Sequence, residues 1–397
     1  MLGPMEEIVV LSAVRTPIGR FGGSLATLPA PALGEVAAKA AIVRAGIEAE
    51  DVESVIFGMA RQAGARPNPA RQVLWRAGIP QERTAFTINQ ACASGMQAIQ
   101  LGADELRLGR AKVVLAGGME SMSNVPHALE RMREGYRLGD GAVVDLMYRD
   151  GFQCPLADMI MGETAELLAQ EMGITRAQQD VFAHESQQKA AAAWDEGAFH
   201  AEIAPVTLET RKGPLTVARD EHLRPDTTLE TLHKLKPIFD LKTGTVSAGN
   251  SSGITDGAAA LVLTTAREAA ARGWTPIAKL LDTQLAGCDP KRMGLGPVPA
   301  TTQLFQRHGW SVDDFELFEL NEAFAAQVLA CLRDLPFPRE RLNLHGGAIA
   351  LGHPIGCTGA RIVVTLLHAM RRHNARRGLA TLCVSGGLGM TSAWELT

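Results

Sequence analysis

The sequence predicts an α/β protein built from two related halves with a long segment inserted between them. Three observations predict it. Apolar-periodic helices alternate with short apolar strands toward both ends of the 397-residue chain, the pattern of layered helix and sheet. The two ends repeat one another in sequence. The stretch 121–248 between them has no counterpart in either.

The strand Val113 to Ala116 is continuously apolar, as a strand covered on both faces requires. The repeat is read from three matches. Gly46, Asp51 and Glu53 lead into Val55-Ile56-Phe57, and Gly309, Asp314 and Glu316 lead into Leu317-Phe318 at an offset of 263. Ala93-Ser94-Gly95 matches Cys357-Thr358-Gly359 at an offset of 264, and each opens an apolar-periodic helix. Those helices end in basic residues and lead to strands, Lys112 to Ala116 and Leu379 to Val384. Glycine pairs follow, Gly117-Gly118 and Gly386-Gly387, at an offset of 269. Three matches in order at nearly constant register argue for duplication.

Removing the 128 residues of 121–248 leaves 397 − 128 = 269, two halves of about 135, each domain-sized. We therefore expect an N-terminal core half over 1–120 with 249–272, an inserted loop domain over 121–248, and a C-terminal core half over 273–397. The insertion opens polar and Met-rich. Helical patterns run through Glu163 to Glu171 and Gln178 to Trp194 before it becomes irregular. Arg211, Lys212, Arg219, Arg224, Lys234 and Lys236 cluster in that irregular part, as a solvated surface or, for one or two, as contacts to a phosphate-bearing ligand.

Hydrophobic content of 46%, charged content of 21% and a net charge of −4 describe an ordinary globular protein. Nucleic acid as a partner normally needs a strongly basic face and is not expected. The six cysteines show no C-x-x-C pair and no zinc spacing with the histidines, so no metal and a reduced, cytoplasmic setting are expected. The segment Met1 to Glu7 is acidic with no long apolar run behind it. No stretch approaches the roughly 18 apolar residues of a membrane span, so neither secretion nor membrane association is expected. The sequon Asn250-Ser251-Ser252 is read as chance.

The chemistry centres on Asn89-Gln90-Ala91-Cys92-Ala93-Ser94-Gly95-Met96, where a cysteine sits between a short strand, Ala85 to Ile88, and a helix. Met96, Ile99, Ala103 and Leu106 form one apolar helical face, and Gly109, flanked by Arg107 and Arg110, stops it. Cys92 then lies beside unpaired amides at the positive end of a helix dipole, which predicts a lowered thiol pKa. A free cysteine also often simply packs, and at this point both readings stand.

Three motifs occupy equivalent strand-to-helix junctions in the second half. Asn321-Glu322-Ala323-Phe324 follows a strand; its asparagine suits a water or an oxyanion, or caps the next helix. Gly346 to Gly356 is a glycine-rich loop carrying His353, a base for the Cys92 proton or a structural histidine. No Gly-Lys-Ser/Thr follows, so it is not a phosphate loop. Cys383, at the end of an apolar strand before Ser385-Gly386-Gly387, would face the cleft of Cys92. Redox exchange normally uses closer pairs, which favours a second cysteine that moves a proton.

At these residues the chain resembles the thiolase family, almost end to end. The blocks that carry the resemblance are Asn89 to Ala98, Gly117 to Met122, Thr245 to Ala260, Asn321 to Phe324 and Gly346 to Arg361. The resemblance implies a duplicated, five-layered α/β/α/β/α core with an inserted loop domain, and reversible Claisen condensation of two acetyl-CoA molecules. Cys92 is then the nucleophile, His353 its activator and Cys383 the proton donor and acceptor, with ping-pong kinetics. One oxyanion falls to His353 and a water on Asn321, the other to backbone N–H groups of Cys92 and Ser385.

The resemblance also implies Arg224 near the CoA nucleotide, Ser252 beside the pantetheine, and Met161, Met293 and Phe324 at the acyl end. It makes CoA and acyl-CoA substrates, with no permanently bound cofactor, and suggests a homodimer or homotetramer. Three positions depart from the family pattern. Ser385 stands for a usual glycine, His345 for a frequent asparagine, and Ile160 for a histidine of some short-chain members. The alternative is a broad-chain 3-ketoacyl-CoA thiolase of fatty-acid breakdown; a non-catalytic CoA- or lipid-binding relative is more remote. Decarboxylating synthases share the nucleophile, but Cys383 argues against them. Gly249-Asn250-Ser251-Ser252-Gly253 formally fits a serine hydrolase elbow, but the residues before it are too short and polar for a buried strand.

Overall fold

A computed structural model describes residues 6–397, so most of the Met1 to Glu7 segment lies outside the described residues. In chain order the first half contributes β1 (Ile8–Arg15), β2 (Gly19–Arg20), α1 (Ala30–Ala45), β3 (Ser54–Gly58), α2 (Pro69–Arg76), β4 (Thr84–Ile88), α3 (Ser94–Arg107) and β5 (Val113–Ser121). The insertion carries the short strands β6 (His127–Leu129), β7 (Val143–Asp145), β8 (Gln153–Cys154) and β9 (Met159–Ile160). After them come α4 (Met161–Glu171), α5 (Arg176–Asp195), β10 (Val206–Thr210), β11 (Gly213–Val217) and α6 (Leu229–His233). Then follow β12 (Thr255–Thr265), α7 (Ala266–Arg272), β13 (Ala278–Gly287), α8 (Pro297–His308) and β14 (Leu317–Leu320). The chain closes with α9 (Ala325–Asp334), α10 (Ala348–Leu351), α11 (Ile355–His373), β15 (Arg377–Val384) and β16 (Leu388–Leu396).

Each half builds the same sheet. The first runs β1-β12-β5-β3-β4 and the second β13-β16-β15-β14, with Phe318 bridging to Leu342 where the equivalent of β4 would pair. β3 is parallel to β4 and β5, β14 is parallel to β15, and the last strand of each half returns antiparallel. The halves join where Ile8–Val10 of β1 pairs Ala278–Leu280 of β13. The repeated glycines are helix ends: Gly46 closes α1 and Gly309 closes α8, both left-handed, where glycine carries no side-chain penalty.

α3 and α11 form the layer between the two sheets and pack on each other. The duplicated glycines make that approach possible. A Cβ on Gly95 would lie 2.7 Å from Ala360 N, and one on Gly359 would lie 2.5 Å from Met96 N, both closer than packed atoms allow. Met96, Ile99, Ala103 and Leu106 are buried on the face that the sequence predicted, and Gly109 turns out of the helix at φ +65°. α1 and α2 cover the outer face of the first sheet, and α8 that of the second, giving α/β/α/β/α layering.

The insertion is tied to the core by a buried cation. Arg15 on β1 donates to Glu202 (Nε to Oε1, 2.5 Å) and to Asp220 (2.7 and 3.0 Å). Burial alone would favour the neutral guanidine, but the two carboxylates hold it charged. No helix among the described residues is long and apolar enough to cross a membrane.

Candidate active site

Cys92 sits in a tight elbow between β4 and α3. Ala91, just before it, has φ +44°, a left-handed value uncommon for a residue with a side chain. Local polar groups hold the turn. Asn89 Oδ1 accepts from Ala91 N at 3.0 Å. Ser94 Oγ accepts from Gln90 N at 2.8 Å and donates to Ala91 O at 2.7 Å. The sulfur is half-buried, and the nearby backbone N–H groups of Ser385 and of Cys92 itself favour its thiolate.

The sequence predicted a lowered Cys92 pKa, and the structure reverses the sign. Burial pushes the thiol above its ordinary value, against the Ser385 N–H, the Arg61 cation and its own N–H. A helix dipole at a surface is worth about 0.3–1 kcal/mol, less than desolvating a thiolate costs. At rest Cys92 is therefore a thiol, and it would need a base to react as a thiolate.

His353, on the wall of the same cavity, is fixed by its neighbours. Gly352, with φ +107° and Thr255 Cγ2 2.3 Å from where its Cβ would be, admits only glycine. His353 N donates to Gly253 O at 3.0 Å, which fixes the backbone beyond the turn. Thr358 Oγ1 donates to Pro354 O at 3.0 Å and lies 2.6 Å from His353 Nδ1. With the one hydroxyl proton assigned to Pro354 O, His353 Nδ1–H donates to the hydroxyl oxygen. Nε2 is left as the bare, accepting nitrogen. Burial, with the cations Arg361 and Arg61, pushes the imidazole pKa down to about 3, so it is neutral at physiological pH.

Cys383 ends β15 and is buried among Cys154, Ala157, Met161, Met293 and Ala323. Burial first, and the neighbouring Cys92 next, push its thiol well above the ordinary value. Gly386 and Gly387 take the positive φ values of the following turn, whereas Ser385 does not. A serine therefore fits there without strain, and its N–H remains available.

Asn321 follows β14, and its backbone N–H donates to Thr381 O at 3.0 Å. The capping alternative does not hold: the N-cap of α9 is Phe324. The Asn321 side chain is buried with neither amide atom bonded to protein. Such a group costs about 1–3 kcal/mol if left unpaired, so it suits a held water. Next to it Glu322 accepts from Ser186 Oγ (2.6 Å), Asn343 Nδ2 (2.8 Å) and Ile349 N (3.2 Å). It clamps this junction to α5 and α10.

These groups converge on a cavity of about 360 Å³. Cys92, His353, Cys383 and Ser385 line it together with Met161, Met293, Phe324, Ser252 and Arg224. Every site residue expected from the sequence is thus brought together except Asn321, which does not line the wall. Of the three departures, Ile160 lines the cavity, and His345 does not. His345 packs against Phe199 and His373 at centroid distances of 5.7 and 5.6 Å. Of the clustered basic residues, only Arg224 reaches the cavity.

Sequence reasoning missed Arg61, His222, Tyr148, Phe152 and Phe239, which also line it. Arg61, His222 and Phe239 stand singly in irregular stretches, and Tyr148 and Phe152 bound one short π-helical turn, with no spacing that marks them. It also missed Glu120, whose buried carboxylate accepts from Ala60 N (3.0 Å), Arg61 N (3.1 Å) and Gly356 N (2.8 Å). That clamp joins the loop after β3 to the start of α11. Among the described residues no cluster of three or more His, Cys, Asp or Glu side chains could hold a metal. A thiol, a neutral imidazole, a second thiol and two nearby backbone amides suit covalent acyl transfer coupled to proton movement at carbon.

Comparison with known proteins agrees. The model of the thiolase N-terminal domain matches residues 8–267, and that of the thiolase C-terminal domain matches 274–395. The chain is 49% identical over 392 residues to an acetyl-CoA acetyltransferase of Cupriavidus necator, covering 98% of this chain and 100% of that one. It is 50% identical to that of Escherichia coli K12, covering 98% and 99%. Among solved structures, the Bacillus anthracis acetyl-CoA acetyltransferase superposes with a TM-score of 0.97 at 42% identity, over 99% of each chain. Human mitochondrial 3-ketoacyl-CoA thiolase in complex with CoA superposes at 0.95 and 41% identity, over 99% and 98%.

Proposed function

The chain belongs to the thiolase family, and from that premise we propose that it is an acetyl-CoA C-acetyltransferase acting through an acyl group on Cys92. The observation that carries the reading is His353, held through Nδ1 by Thr358, in the cavity of a buried thiol that needs a base. His353 takes the Cys92 proton as sulfur attacks the thioester. The N–H groups of Cys92 and Ser385 receive the oxyanion, each such donor being worth about 3–4 kcal/mol in comparable sites. CoA leaves. Cys383 then takes a Cα proton from a second acetyl-CoA. The enolate, held by His353 and a water on Asn321, attacks the acyl-cysteine, and acetoacetyl-CoA forms. In reverse the same groups carry out thiolysis.

The cavity is near the lower end of the roughly 300–1,000 Å³ typical of ligand sites. It suits an acyl group and a pantetheine arm, with Ser252 beside the arm and the nucleotide outside at the exposed Arg224. Met161, Met293 and Phe324 line the acyl end. A broad-chain 3-ketoacyl-CoA thiolase is the second reading, favoured by the apolar Ile160 on the wall. The deciding measurement is kcat/KM for CoA-dependent thiolysis of acetoacetyl-CoA against 3-oxooctanoyl-CoA. A strong preference for the former supports the acetyltransferase; equal or better turnover of the latter supports the second reading. A non-catalytic binding protein would turn over neither.

The expected domain division, 1–120 with 249–272, 121–248 and 273–397, is kept as part of this reading, as is a cytoplasmic setting suggested by the cysteine usage. A homodimer or homotetramer is supported by β4. It is the outer strand of the first sheet, with Phe86 exposed, and an open edge is a template for pairing. Mass in solution distinguishes the two assemblies from a monomer.

A further inference from the structure

Arg61 has no place in the chemistry above, yet it is buried at the wall of the reactive cavity. Its guanidinium is poorly satisfied. Nη2 donates to Gly151 O at 2.7 Å, Nη1 reaches Ala60 O only at 3.5 Å, and Nε has no partner. No carboxylate among the described residues comes within 4.0 Å of it. Glu120 is the neighbouring acid, and its oxygens are spent on three backbone N–H groups. The surroundings are otherwise apolar: Ala60, Met122, Met147 and Ile355 pack with Phe152 and Cys92 itself.

A buried cation with no carboxylate bonded to it is costly, and a bound group that supplies one relieves the cost. Cys92 and Arg61 line the same cavity, and Cys92 packs against this wall, so a chain carried on its sulfur could extend along it. An alkyl chain there would desolvate Arg61 further and return no hydrogen bond. A chain ending in a carboxylate would accept from the free N–H groups in the planar geometry that guanidinium favours.

We propose that Arg61 is a specificity residue that selects acyl chains ending in a carboxylate, making 3-oxo-dicarboxylic acid monothioesters of CoA substrates of this site. The proposal rests on the thiolase reading. In thiolysis the Cys92 sulfur attacks C3, the C2–C3 bond breaks, and C2 takes a proton as acetyl-CoA leaves. The ω-carboxyacyl group stays on Cys92, its carboxylate against Arg61, until the thiol of CoA takes it.

The test compares chains of equal length in the full-length enzyme: kcat/KM for thiolysis of 3-oxohexanedioyl-CoA against 3-oxohexanoyl-CoA, and of 3-oxooctanedioyl-CoA against 3-oxooctanoyl-CoA. The wild-type chain is expected to favour the diacid by about tenfold or more at one of these lengths, since sites built to pair a polar group discriminate strongly against its absence. Preference for the monoacid at both lengths overturns the proposal. In Arg61→Met the ratio should collapse toward or below one, and in Arg61→Lys part of it should return. An unchanged ratio in Arg61→Met removes the assignment. The wild-type comparison needs no variant to fold. Failure to cleave any 3-oxoacyl-CoA, acetoacetyl-CoA included, overturns the thiolase reading itself.

Discussion

His353 Nδ1 lies 2.6 Å from Thr358 Oγ1, whose own proton goes to Pro354 O at 3.0 Å. In the proposed mechanism this relay decides which imidazole nitrogen takes the proton. Thr358→Val keeps the shape and removes the acceptor, leaving a buried N–H unpaired. That costs about 1–3 kcal/mol, and the tautomer is no longer specified. We expect kcat/KM for thiolysis to fall about 10- to 100-fold, with Thr358→Ser recovering most of it. An unchanged rate in the valine variant would show that the tautomer is set elsewhere.

The same burial has a signature in pH. His353 is pushed down to about 3 and His222 to about 4, each from 6.5 and each mainly by burial. Below 6.5 the unfolded chain therefore binds protons that the folded chain refuses. Stability from these sites is complete above pH 6.5 and is lost as pH falls toward the folded values. Thermal melts between pH 7 and 4.5 should show Tm falling with acid, with a shallower fall in His222→Asn. kcat/KM should show no acid limb near 6.5 from His353, because its base form persists far below that pH.

Cys383 and Cys92 line one cavity, and the proposed mechanism gives them separate tasks. Cys383→Ala should still accept an acetyl group on Cys92, seen as a mass increase of the intact protein, and should fail to condense it. Cys92→Ala should show no acyl-enzyme. Normal condensation by Cys383→Ala would remove it from the proton step.

Much of this was legible because it is local or periodic. The apolar stripe of α3, the stop at Gly109 and the duplicated Gly95 and Gly359 are spacing signals, and the structure gives the last pair its reason in the closest approach of α3 and α11. Other features depend on what surrounds a residue after folding. The Cys92 pKa has the opposite sign to the one predicted because the local helix end was visible and the burial was not. Arg61 carries no pattern at all. It follows β3 like any loop arginine, and it is enclosed by residues distant in sequence, among them Gly151, Phe152 and Ile355. Asn321 has the type and place of a cap, yet three more residues pass before α9 begins.

The elbow itself hides its strain in an ordinary residue. Ala91 at φ +44° pays a left-handed penalty of about 1–2 kcal/mol, offset by the bonds from Asn89 and Ser94 that hold the turn. Ala91→Gly relieves that penalty but gives the unfolded chain about 0.4–1 kcal/mol of entropy. The two terms oppose, so the variant should lie within about 1 kcal/mol of wild type. Ala91→Val places a β-branched side chain in the same region, a genuine outlier. It should cost about 2 kcal/mol or more and tilt Cys92 away from the Ser385 N–H. Denaturant midpoints measure the first effect, and the rate of Cys92 alkylation the second. If the valine variant matches the glycine variant in both, the turn is softer than its hydrogen bonds imply, and the position of Cys92 is set by α3 alone.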